Sequence, residues 1–270
     1  MDDVAGFDIL VQMFGQVDIL LLIFVRILGF FMVVPIISSQ NIWMMARLFL
    51  ALVMAIALFS SGVVTTVYYA GGTPSYIYMI LLEFMVGMAM GYVSFAVFNL
   101  IFFAGQLIDF QIGLMMVNVL DPMTQIQVPL VGNLLYFALM ALVVANGGIH
   151  MFFQAFFYSY TILDIGSAVV IGNVNLAWYM LFILVESTIL AVRISMPIVG
   201  TMMIINIALG IMVKTVPQMN IFVVGLPLKL LVGIVLIWLV MIPALGGMYN
   251  QMFDMAINDM REVIWGMRPS

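Results

Sequence analysis

Four ionisable side chains, Arg26, Glu83, Glu186 and Arg193, lie inside long apolar runs of this chain. In an apolar medium such groups are costly unless paired or wetted. Glu186 and Arg193 stand seven residues apart, so on a straight helix they share a face two turns apart. Each could pair with Arg26 or Glu83 from a neighbouring helix. Two chemistries then compete: a proton relay, or a set of structural ion pairs that fixes helix register, the latter being the commoner use. Other chemistry has little to work with. The chain has no cysteine, which removes disulfides, thiolate metal sites and thiol nucleophiles. A single histidine, His150, excludes multi-histidine metal sites. Beside Asn146-Gly147-Gly148 it reads as a residue capping a helix junction. With no GxSxG and no glycine-rich phosphate loop, the sequence offers no enzyme, no metal and no cofactor.

The elements that position these residues are membrane helices. Of 270 residues, 66% are hydrophobic and 7% charged, with a net charge of −5 and a mean hydropathy of +1.29. Soluble domains are about a quarter charged, so a water-facing surface of this size could not be clothed. Nor does an acidic chain without a basic run suit nucleic acid. Uncharged stretches cover 27–46, 48–82, 84–108, 122–163, 165–185, 194–213 and 230–253. Each is long enough for a helix to cross ~30 Å of hydrocarbon. They are apolar on every face, not alternating, so helices are favoured over a barrel.

Hydropathy suggests spans at 17–37, 42–67 and 75–104, two helices meeting at Asn146-Gly147-Gly148 within 130–163, a long helix over 176–213 broken at Pro197, and a span over 221–245. The third carries Glu83 followed by Gly87 and Gly91, a small-residue face for close helix packing. Residues 249–265 form an amphipathic tail fit for a membrane surface or a partner. The segment 104–129 differs in texture. It holds four glutamines, Asp109, Asn118, Asp121, Gly113 and two prolines, yet keeps Leu114, Met115, Met116 and Val117 together. Such irregular backbone is either an ordinary solvent loop or a segment buried against a water-filled cavity. From the residues alone, a transporter and an assembly component both remain open.

A set of segments in fixed order goes further. Arg26 with Pro35 comes first, then Glu83-x3-Gly87-x3-Gly91, AGQLIDFQIGLMMVNVLDP and GGIH. A final block follows, with Asn206, Gly210, Pro217, Gln218, Asn220, Phe222, Gly225, Pro227 and Lys229. Together they resemble the FliR/SctT family of type III secretion export-gate membrane proteins, over about 20–250 of the chain. The resemblance implies an all-α polytopic fold of kinked helical hairpins, much of it raised above the bilayer. It implies a FliP-like half over 1–173, a FliQ-like hairpin over 174–250 turning at Pro217, Gln218 and Asn220 with Lys229 beyond, and an amphipathic tail over 251–270. It further implies a place in the bacterial inner membrane, within the flagellar basal body or its injectisome counterpart. The partners implied are FliP and FliQ, with FlhB and FlhA, membrane lipid and unfolded flagellar proteins as cargo. Residues matching the family's pore plug are Gly113, Leu114, Met115, Met116, Val117, Asn118, Asp121 and Pro122. A proton-coupled transporter of small solutes, using Glu83, Glu186 and Arg193, is the rival of a different class.

Overall fold

Where water is scarce the backbone must bond to itself, and this chain does so as helix after helix. The computed structural model describes residues 2–38, 42–63, 73–115, 129–168, 170, 172–216 and 221–268. Its elements are α1 (Asp2–Val33), α2 (Pro35–Ser38), α3 (Met44–Ser60), α4 (Thr73–Ile112), α5 (Leu130–Ala145), α6 (Gly148–Ile162), α7 (Val174–Thr215), α8 (Ile221–Leu236) and α9 (Ile242–Gly266). A five-residue π-helical turn, Ile237–Met241, joins α8 to α9. The fold is all-α.

Six separate spans are not what forms. Among the described residues, three helical segments are long and apolar enough to cross a membrane: Pro74–Ile112, Val174–Thr215 and Val223–Gly266. The bent pair α5–α6 makes a fourth if taken as one span. Hydropathy overcounts because it cannot see where a helix continues. Of the expected span over 42–67, α3 accounts for only 17 residues, while 64–67 lie outside the described residues. The expected end near Pro243 is instead a wider turn within one continuous helical path, which carries the 249–265 tail with it. Pro243 has no N–H to return to the Leu239 carbonyl, and the π turn accommodates that loss. Pro197 and Pro227 likewise stand inside α7 and α8 without ending them. At ~1.5 Å per residue, segments of 39, 42 and 44 residues reach about 60 Å, roughly twice the hydrocarbon thickness.

The chain forms two compact units that ignore chain order. The first comprises 1–95, 150–183 and 256–270; the second comprises 96–149 and 184–255. In the first, α1 lies against α4 at backbone contact. A Cβ on Gly29 would strike the Phe84 carbonyl, one on Gly87 the Arg26 carbonyl, and one on Gly91 the Val33 side chain and Phe30 carbonyl. An aromatic cluster fills the α1–α6 contact, with Phe30 stacked on Phe156 at 4.3 Å between ring centres and Phe153 edge-on to both Phe30 and Phe31. Asn173 closes this unit at the other end. Its Oδ1 accepts the Leu176 N–H at 3.0 Å, capping α7, and its Nδ2 donates to the Gly266 carbonyl at 2.8 Å, at the end of α9.

The glycine contacts make a direct prediction. Gly87→Val pushes side-chain atoms into the α1 backbone, which cannot swing away as a flexible side chain would. It should destabilise by about 3 kcal/mol, the upper end for overpacking, and lower the melting temperature in detergent. Gly210→Ala, with nothing within 4 Å of the new methyl, should leave it unchanged. Equal melting temperatures for the two variants would contradict the packing described.

Candidate functional site

Glu83 follows the spacing that packs α4 on α1, four residues before Gly87, so it enters the same interface. There it meets Arg26, with Nε to Oε2 at 2.5 Å, and both side chains are fully buried. The other carboxylate oxygen, Oε1, accepts the Gly166 N–H at 2.8 Å. Both terminal guanidinium nitrogens of Arg26 donate to the Leu163 carbonyl at 3.4 Å. The guanidinium plane lies over the Tyr160 ring, 4.4 Å from its centre, a cation–π contact strengthened by the absence of water. Tyr160 donates its hydroxyl hydrogen to the Ile23 carbonyl at 3.1 Å. One buried pair thus joins α1, α4, the end of α6 and the turn after it. All of these lie in the first unit.

Each nitrogen of the guanidinium and each oxygen of the carboxylate has a hydrogen-bond partner, which suits a lock more than a relay. Taking two ions out of water costs several kcal/mol each, recovered only when geometry is good and the remaining atoms are bonded. The structure brings Arg26 and Glu83 together. Glu186 and Arg193 share a face of α7 as their spacing requires, and both are exposed. A relay through four buried charges is therefore not assembled among the described residues. His150 is exposed as well, just inside α6.

A second carboxylate organises the second unit. Asp109, in the last turn of α4 and fully buried, accepts the Val131 N–H at 3.1 Å with each oxygen and the Gly132 N–H at 3.3 Å. Those amides are free donors of the first turn of α5, whose N-cap residue is Pro129 and offers no side-chain cap. The carboxylate also meets the positive end of the helix dipole. The Asp109 carbonyl closes α4 itself, accepting the N–H groups of Gly113 and Leu114 at 3.1 Å. Gly113 has φ +92°, the left-handed conformation that helix ends assign to glycine. Beneath the cap, a Cβ on Gly105 would overlap Gly132, so α4 and α5 touch backbone to backbone.

Part of the expected loop is thus helix: Gln106, Asp109 and Gln111 belong to α4. Of the plug residues, Gly113, Leu114 and Met115 form the turn that ends it, while Met116, Val117, Asn118, Asp121 and Pro122 lie outside the described residues, as do Pro217, Gln218 and Asn220. Lys229 is half-buried in α8, and the Asn206 Oδ1 is buried without a hydrogen-bond partner among the described residues. Sequence reasoning missed Tyr160, Gly166 and Gly29 around the ion pair, and the capping role of Asp109. Gly29 was findable, three residues after Arg26 on the face that must meet Gly87. The Gly166 amide carried no signal, because a backbone donor has no residue type.

Two outcomes test these assignments. Arg26→Leu or Glu83→Leu alone strands a buried charge and should destabilise by about 3–5 kcal/mol, whereas the double variant should recover much of the loss. Purely additive losses in detergent melting would show that the two do not act as a pair. Asp109→Ala should cost about 2–3 kcal/mol through lost charge-assisted bonds, and Asp109→Asn less. Hydrogen exchange at the Val131 and Gly132 amides should rise first, and unchanged exchange there would contradict the cap.

Residues 17–256 match the family described as bacterial export proteins, family 1. The flagellar biosynthetic protein FliR of Bacillus subtilis (strain 168) is 29% identical over 251 residues, covering 90% of this chain and 93% of the relative. FliR of Aquifex aeolicus (strain VF5) is 30% identical over 226 residues, with 82% and 84% covered. FliR of Escherichia coli (strain K12) is 24% identical over 245 residues, with 88% and 90% covered.

Proposed function

The chain belongs to the bacterial export proteins, family 1, and from that membership we infer that it is a subunit of the flagellar type III protein export gate, embedded in the membrane. The observation that carries this is the near-complete match over 17–256, with relatives named flagellar biosynthetic protein FliR covered along most of their length. A transport component, not an enzyme, fits a chain whose buried charges lock helices together.

The finer reading extends this. The protein would sit in the inner membrane with FliP and FliQ, and with FlhB and FlhA nearby, passing unfolded flagellar proteins outward. Residues 1–173 would serve as the FliP-like half and 174–250 as the FliQ-like hairpin, with 251–270 as tail. The long helices support an assembled state. In the most apolar windows of Val174–Thr215 and Val223–Gly266, only 17% and 11% of residues are buried within the chain. Faces so apolar need lipid or neighbouring subunits to cover them. The Gly113–Pro122 segment would plug the closed pore, its base fixed by the Asp109 cap.

Removing the gene from its host should abolish secretion of flagellar proteins and swimming, and a plasmid copy should restore both. Continued secretion without the gene would overturn the reading. Deleting Leu114–Val117 should make the assembled gate leaky to ions in planar bilayers. An unchanged closed-state conductance would remove the plug assignment and leave the subunit assignment standing.

A further inference from the structure

The first unit contains a cavity of about 890 Å³ that none of the features above uses. Three elements wall it, each with residues at helical spacing. The α6 face contributes Met151, Gln154, Ala155, Phe157, Tyr158 and Thr161, at steps of one to three residues. The α9 face contributes Ile257, Arg261 and Trp265, at steps of four. Leu58 and Val63 close it from the end of α3. Its size falls within the roughly 300–1,000 Å³ range of ligand sites.

Its chemistry is one-signed. Among the described residues, Arg261 is the charged residue of the lining, and no carboxylate accompanies it. Gln154 and Tyr158 add further donors. The Thr161 hydroxyl hydrogen is already given to the Tyr158 carbonyl at 2.7 Å, so that side chain offers mainly an acceptor. The remaining wall is apolar and aromatic. At the outer edge Trp265 is 51% exposed, with the Arg268 guanidinium 5.4 Å from its ring centre. One cationic donor on α9, polar donors on the α6 wall, apolar side chains between them and a tryptophan–arginine contact alongside suit an acidic headgroup at a membrane–water interface.

We propose that this cavity binds one anionic phospholipid. The phosphodiester would accept hydrogen bonds from Arg261, Tyr158 and Gln154, and the first part of an acyl chain would lie against Met151, Phe157 and Ile257. A protein strand is a poorer occupant. The walls are helix faces whose amides are already bonded, so a peptide backbone would find few partners there. A choline headgroup meets Arg261 with like charge and finds no carboxylate in return.

Native mass spectrometry of the full-length protein, released from detergent with added phosphatidylglycerol or phosphatidylcholine, tests this. Wild type should carry one saturable phosphatidylglycerol and bind it more tightly than phosphatidylcholine. Arg261→Gln should weaken phosphatidylglycerol about fivefold, the value of one cation near an acidic lipid, while Arg261→Lys should keep most of the preference. Because Arg261 is exposed, neither substitution disturbs packing. Ala155→Trp, which projects an indole into the cavity from the α6 wall, should weaken the adduct of both lipids. Equal binding of the two lipids, or an Arg261→Gln variant that binds as wild type does, would overturn the proposal. Glycerol 3-phosphate binding as tightly as the lipid would make the site one for small phosphates. Loss of the lipid when partner subunits are bound would make the cavity a protein-docking surface.

Discussion

Everything in the first unit depends on placing one guanidinium and one carboxylate together where no water can shield them. Glycines at 29, 87 and 91 let the α1 and α4 backbones approach closely, and only at that separation does Arg26 reach Glu83. The pair then recruits groups that no other force would bring there: the Gly166 amide, the Leu163 carbonyl and the Tyr160 ring. Away from those glycine contacts, packing energy is weakly sensitive to a one-turn slide of apolar helices, since one leucine or methionine replaces another. A buried ion pair is not indifferent, because a slide of about 5.4 Å leaves both charges stranded. In a chain with 66% hydrophobic residues, register is the property most in need of such a device.

The second unit applies the same logic with one charge. Asp109 uses its carbonyl to end α4 and its carboxylate to begin α5, so both stems of the segment between them are held by one residue. What the stems hold is the stretch whose polar, proline-bearing texture departs from the rest of the chain. The long helix α7 and the apolar run from α8 into the start of α9 present the opposite case. Their apolar faces are left largely uncovered, the state expected of a subunit whose packing is completed by lipid and neighbours.

Much of this was legible in the sequence, and the failures share a cause. Membrane character followed from composition, and all-α character from long uncharged runs that are apolar on every face. The Glu83-x3-Gly87-x3-Gly91 face and the Asn146-Gly147-Gly148 break were readable because glycine spacing acts locally, and Gly147 does take up a positive φ of 69°. Pairing of Arg26 with Glu83 was one of several arrangements open to four charges, and spacing could not choose among them. Hydropathy misplaced helix ends at 104 and 245, since the residues that decide continuation, such as the capping Asp109 and the π turn before Pro243, act through partners distant in sequence or through backbone geometry. The division into two units that interleave along the chain had no sequence signal at all.

The central claim is that these devices prepare a single chain to enter a gate built with other subunits. The most direct test is the mass of the complex formed when this protein is co-expressed with the FliP and FliQ of its own genome. A discrete complex carrying one copy of this chain with several copies of each partner is the predicted result. The chain remaining alone, under conditions where FliP and FliQ assemble with each other, would contradict it.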